Sequence, residues 1–132
     1  MRAMKIALTL ALVSNMVLAK PSLRDVPEID ETLLSIGIAN EIRKNCPDIS
    51  ARILRAAVLV NDLKTKARNM GYSDTEIDAY RRSDTEKARL KAKGATYLAA
   101  GGVKPGQPET YCALGAVEIE KGGQIGALLR MN

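Results

Sequence analysis

The chain has only two cysteines, Cys46 and Cys112, and their placement constrains the fold more than any other feature. Cys46 sits in Arg43-Lys44-Asn45-Cys46-Pro47-Asp48, where one helical pattern stops and the strongest one begins. A bridge to Cys112 would close a loop of 66 residues. On the chain-entropy account such a closure stabilises by about 4 kcal/mol, as an upper figure. It would tie the first helical corner to the start of the last helix. Redox-active pairs usually hold their cysteines close in sequence, as in C-x-x-C. Separation across most of the chain therefore favours a structural bridge.

A structural bridge needs an oxidising compartment, and the N-terminus is consistent with one. Arg2 and Lys5 form a short basic region. An apolar run follows from Ile6 to Leu12 and continues, past Ser14-Asn15, to Leu18. Val17-Leu18-Ala19 matches the small-x-Ala pattern of a signal peptidase site. The run falls short of the roughly 20 apolar residues that span a bilayer. The expectation is a signal peptide over residues 1–19, cut between Ala19 and Lys20. Residues 20–132 would then be a periplasmic or secreted protein with no membrane attachment. No cysteine lies near the cleavage site, which argues against a lipid anchor.

The core must be built without large aromatic side chains: there are four Tyr, no Phe and no Trp. Leu, Ile, Val, Ala and Met suit closely packed helices, and no segment shows the alternation of a strand. The expected fold class is all-α: an irregular bundle of about four long helices plus one short helix, closed by one disulfide. Residues 20–27 read as an extended lead-in with two prolines, and residues 28–132 as a single helical domain.

The first helix is expected over 28–45. Ile29, Leu33, Leu34, Ile36, Ile38 and Ile42 form its apolar stripe. Acids in its first turn and Arg43-Lys44 in its last complement the helix dipole. Gly37, in mid-helix, suggests close contact with another helix. Pro47 disfavours helical geometry at Cys46 and is expected to start a second helix over 47–70. That helix would bury Ile49, Ile53, Ala56, Ala57, Val60, Leu63, Ala67 and Met70, with Gly71 as its C-terminal cap. Ser73-Asp-Thr-Glu76 and Ser83-Asp-Thr-Glu86 are two capping-box patterns. They predict a short helix over 74–81 and a long one over 84–100, with an alanine stripe at Ala88, Ala92, Ala95 and Ala99. Gly101 to Gln107 is a loop. The last helix starts near Pro108. Small residues on one side of it, including Gly115, Gly123 and Gly126, would let another helix approach, and Gly122-Gly123 can break it. The ending is apolar enough to dock.

Chemistry is scarce. The chain has no His, which removes the commonest general base and metal ligand and every Ser-His or Cys-His nucleophile. There is no P-loop, no G-x-G-x-x-G after a strand and no EF-hand loop. Neighbouring carboxylates such as Asp30 and Glu31, or Glu118 and Glu120, point apart on a helix and make no acid–base dyad. No catalytic, cofactor-binding or metal-binding residues are expected. The formal net charge is +5, but two of the basic residues belong to the leader and the rest alternate in sign. That is an ordinary solvated surface. Without an aromatic platform, nucleic-acid binding is not expected.

One stretch runs from Glu28-Ile-Asp through Ile38-Ala-Asn-Glu-Ile-Arg-Lys-Asn-Cys-Pro-Asp-Ile-Ser-Ala-Arg. With Gly71-Tyr-Ser-Asp, Glu86-Lys-Ala-Arg, Tyr111-Cys-Ala-Leu-Gly and Gln124-Ile-Gly-Ala-Leu-Leu-Arg, it resembles a domain-of-unknown-function family of small exported bacterial proteins. The resemblance covers essentially all of residues 20–132. Some members carry the label of an iron–sulfur component of the respiratory NADH dehydrogenase. That component is thioredoxin-like and holds its cluster through four cysteine ligands, whereas this chain has two cysteines. The label therefore has no chemical support here. The expected function is a non-enzymatic protein-binding or structural accessory factor of the periplasm, with an unidentified protein partner. A small chaperone or solute-binding module, and an accessory or assembly factor of a respiratory complex, are the alternatives.

Overall fold

The computed structural model describes residues 20–132, so the leader and its Ala19 cleavage position lie outside the described residues. The described chain forms five helices: α1 (Pro27–Asn45), α2 (Ile53–Asn69), α3 (Asp74–Arg82), α4 (Asp84–Ala100) and α5 (Pro108–Lys121). The all-α expectation holds, with one addition. Two three-residue strands, β1 (Ile49–Ala51) and β2 (Leu129–Met131), pair antiparallel with Ser50 opposite Arg130.

The central element is α1. Its apolar residues face more than one neighbour, as expected for a helix packed on several sides. Ile38, Ala39 and Ile42 join the larger core with Cys46, Ile49, Leu114, Leu128 and Leu129. Ile29, near the other end of α1, joins a second cluster with Leu23, Leu63, Ala67, Tyr72 and Ile77. The lead-in belongs to this second cluster. It is not wholly extended: Leu23–Asp25 forms one 3-10 turn that buries Leu23. The buried Leu23 anchors this turn, and Pro27, expected to close the lead-in, is the first residue of α1, a position that suits proline.

α4 runs beside α1 in the same direction. Arg89 and Lys93 meet Asp30, and further along Gly94 meets Ile38. A Cβ on Gly94 would lie 3.6 Å from Ile38 Cγ1, whereas one on Gly37 would meet nothing within 4 Å. The helix-contact glycine is thus Gly94, and the expectation for Gly37 is corrected. The alanine stripe of α4 faces outward, with Gly94 and Leu98 buried instead.

The second helix starts at Ile53, not at Pro47. Cys46 is extended, as a residue before proline should be. Pro47 and Asp48 then turn the chain into β1. Ile49 and Ile53 share helical spacing by coincidence: Ile49 is a buried strand residue at 3% exposure, and Ile53 is 75% exposed. A three-residue run does not reveal its period, and the partner that makes it a strand lies some 80 residues away.

α2 ends in a Schellman motif. Gly71 takes φ +95, its N–H donates to the Arg68 carbonyl, and the Tyr72 N–H donates to the Ala67 carbonyl. α5 stops at Lys121, where Gly122 is left-handed at φ +66. A 3-10 turn over Gly126–Leu128 then leads into β2. The apolar ending docks as expected: Ile125, Leu128 and Leu129 are buried. Two of the small residues of the last segment, Gly115 and Gly126, are used inside the chain, whereas Gly123 is exposed and meets nothing within 4 Å. A Cβ on Gly115 would lie 2.3 Å from Ile49 Cδ1, and one on Gly126 would overlap the Glu118 carbonyl. Gly115 and Gly126 are therefore not available to a partner helix.

Candidate functional site

The bridge between Cys46 and Cys112 is formed, with the sulfurs 2.02 Å and the Cα atoms 5.2 Å apart. The C-terminus returns to the same corner. The Asn132 N–H donates to the Asp48 carbonyl at 2.9 Å, and the Arg52 N–H donates to the Leu128 carbonyl at 2.8 Å. The Asn132 side-chain amide donates to the Pro47 carbonyl. Cys46, Asp48 and Cys112 also place their potential ligand atoms within 4.8 Å of one another. Metal-binding cysteines act as thiolates, and here both sulfurs are spent on each other. The cluster is a consequence of the clasp.

Two acids are buried among the described residues with their partners in place. Asp30 is 4% exposed. Its carboxylate accepts from Arg89 through both terminal nitrogens, from Lys93 at 3.2 Å and from the Tyr80 hydroxyl at 2.8 Å. Burial by itself raises its pKa, but the hydrogen bonds from Arg89, Tyr80 and Lys93 outweigh it and hold the group at about 2. Tyr80 is pushed above its ordinary value, first by burial and then by its bond to Asp30. A carboxylate so fully engaged is a poor proton acceptor at neutral pH, and the cluster ties α1 to α3 and α4. Glu118, also 4% exposed, accepts from the Tyr97 hydroxyl, and that bond raises Tyr97 to about 12. Sequence reasoning missed both hubs. Asp30 looked like a first-turn acid because its partners come from two helices 50 or more residues away.

The structure's most unsatisfied surface is the N-terminal half of α2. Leu54 is 84% exposed, Ile53 75% and Val58 61%, and Met131 of the adjacent β2 is 50% exposed. The ribbon explains how they come to be uncovered. β1 is held against β2, so α2 begins beside the chain terminus; Ala56 and Leu59 pack half-buried against the larger core and Leu63 and Ala67 are buried in the second cluster, while Ile53, Leu54 and Val58 stay exposed. Three arginines edge the apolar patch. Arg52 Nε donates to the Leu129 carbonyl at 3.2 Å and Arg55 Nη1 donates to the Ala127 carbonyl at 3.1 Å. Arg130 lines the same shallow surface as Arg52, Ile53, Leu54 and Arg55. Neutral carbonyls orient the Arg52 and Arg55 guanidinium groups without cancelling their charge. The sequence did carry a signal: Ile53, Leu54 and Val58 give α2 more apolar positions than one buried face can use.

The remaining sequence-derived positions fall as follows. Ser73 and Glu76 form a complete capping box, with the Glu76 N–H donating to Ser73 Oγ at 3.1 Å and the Ser73 N–H donating to Glu76 Oε1 at 3.3 Å. Ser83 accepts from the Glu86 N–H at 3.2 Å. The Glu86 carboxylate binds Arg24 at 2.9 Å and Arg89 at 2.8 Å in place of reaching back. Lys20, the first described residue, bonds the Gly71 carbonyl and Glu76 and lies over the Tyr72 ring.

Residues 21–130 match the profile of a family of unknown function, DUF5333. The chain belongs to that family. The match takes in both cysteines, α2 and the buried acids, so the clasp, the patch and the Asp30 cluster all lie inside the family domain. No curated protein and no solved structure matches the chain. No helix among the described residues is long and apolar enough to cross a membrane.

Proposed function

We propose that this chain is a non-enzymatic, protein-binding factor of the periplasm and that the start of α2 is its binding surface. The observation that carries this reading is the contiguous exposure of Ile53, Leu54 and Val58 beside Arg52, Arg55 and Arg130. Large exposed apolar side chains grouped on one helix and rimmed by charge mark interaction surfaces. Burying such side chains supplies most of the affinity of an interface, and the surrounding charge selects the partner. Three arginines on one edge favour a partner segment that is acidic as well as apolar. An amphipathic helix laid antiparallel to α2 would satisfy both requirements. The periplasmic setting rests on the leader pattern and on the clasp, since a disulfide of this kind persists where thiols are not kept reduced.

The test is crosslinking in periplasmic extract from a photoreactive residue at position 54, compared with the same residue at exposed position 65 or 91. A discrete adduct from position 54 alone, lost in Val58→Asp without loss of thermal stability, is the expected result. A protein that stays strictly monomeric, with no retained partner from any position, overturns the reading.

A further inference from the structure

A separate groove of about 430 Å³ runs between α1 and α4 and shares no lining residue with the α2 patch. Its size lies within the range of small-molecule sites. Leu34, Ile38, Leu90, Leu98 and Tyr111 supply its apolar surface with Gly94 at its floor, and Gly37, whose Cβ would meet nothing within 4 Å, leaves it open. Along α4 it extends from Lys87 to Ala99, a rise of about 18 Å at helical pitch. The groove is therefore long and narrow.

Its charges are distributed unevenly. The two acids at its edge are already engaged: Glu41 by Lys44 at 2.9 Å, and Glu86 by Arg24 and Arg89. Arg81, Lys87 and Lys91 also line it. None of the three has an ion-pair partner among the described residues. All three lie toward the α3–α4 junction. The far end is lined by Val103, Pro105 and Tyr111. An apolar trough with uncompensated positive charge at one end is complementary to a single molecule with an anionic head and a long apolar tail. The leader of this chain, also apolar, is a poor occupant because Arg2, Lys5 and its terminal amine would meet like charge.

We propose that the α1–α4 groove binds a single-chain amphiphilic carboxylate of the long-chain fatty-acid type. Its head pairs with Arg81, Lys87 and Lys91, and its tail lies along Gly37 and Gly94 toward Tyr111. This does not depend on the α2 surface, and either proposal can fail alone.

The experiment titrates the purified protein, expressed as the full chain so that any processing occurs, with cis-parinaric acid below its micelle concentration. Hexadecanoate and hexadecan-1-ol serve as competitors. Saturable one-to-one binding is expected, with the acid competing about tenfold better than the alcohol, since a charge-assisted contact of ordinary strength is worth that factor. Lys87→Glu combined with Lys91→Glu weakens binding by about the same factor. Gly37→Leu, at a position where a Cβ meets nothing within 4 Å, blocks the groove without lowering the melting temperature. Non-saturable uptake, equal competition by the alcohol, binding to anionic vesicles but not to the monomeric acid, or wild-type affinity in Gly37→Leu overturns the proposal.

Discussion

Asp30→Asn isolates the contribution of the cluster that joins α1 to α3 and α4. The carboxylate pKa falls from 3.8 to about 2 on folding. At 1.36 kcal/mol for each unit, this corresponds to about 2 kcal/mol of stabilisation. The folded pKa lies below the unfolded one, so the contribution is fully present above the unfolded value. It is lost as pH falls through the folded value. Asparagine keeps the shape and part of the hydrogen bonding to Tyr80, but it leaves Arg89 and Lys93 without their counter-charge. Urea denaturation followed by helical circular dichroism, at several pH values, is the appropriate assay, because the chain has no Trp to report unfolding. At neutral pH the variant is expected to be less stable than the parent by about 2 kcal/mol, and the two should converge as the parent's Asp30 protonates near pH 2. Glu31→Gln, one residue along on the exposed side of α1, should change nothing measurable. A stability difference independent of pH would refute the reasoning, because the loss would then come from packing and not from the charge. So would an equal effect of Glu31→Gln.

Three glycines of different surroundings should respond with different signs. Gly37→Ala, with open space at its Cβ, stabilises by about 0.5–1 kcal/mol through helix propensity. Gly115→Ala, whose Cβ would lie 2.3 Å from Ile49 Cδ1, costs about 1–3 kcal/mol by overpacking; Gly126→Ala, which would overlap backbone, loses more, and thermal melts rank them. Replacing Cys46 and Cys112 together by Ser lowers the urea-unfolding free energy by up to about 4 kcal/mol, and reductant should reproduce the loss in the parent alone. Ser73→Ala removes a complete capping box and costs about 1 kcal/mol in the same measurement. Leu129→Ala empties a position that is 1% exposed and costs about 2–5 kcal/mol by denaturation, although it lies close to the end of the chain.

The helices were legible because their signals are local. Ser73-x-x-Glu76 and Ser83-x-x-Glu86 announce starts, Gly71 and Gly122 announce stops, and Leu63 and Ala67 of the stripe expected on α2 do go inward, although Ile53, Ala57 and Met70 of the same stripe are exposed. Each of these depends on residues within a turn or two of one another, as hydrogen bonding and helical periodicity do. The β ribbon was not legible, because Ile49–Ala51 becomes a strand only when Leu129–Met131 lies beside it. Nor was the role of Asp30, whose ligands arrive from α3 and α4. The small residues near the C-terminus were legible as allowing close approach, but not in what approaches. Ile42 and Ile49 of the same chain come up against Gly115, and the surface left for a partner moves to Ile53, Leu54 and Val58.

The pair Cys46 and Cys112 lies between these two cases. Composition alone determined that they were the only thiols, and Pro47 determined that the chain must leave the helix at that point. Their bonding distance, the return of Asn132 to Pro47 and Asp48, and the uncovered start of α2 are tertiary facts. Sequence specifies what each backbone segment prefers by itself, since propensity and capping act over a few residues. Which surfaces are consumed by the chain and which are left over depends on contacts between distant segments. Only the folded arrangement decides that remainder, which among the described residues includes an apolar face of α2 and a groove edged by Arg81, Lys87 and Lys91.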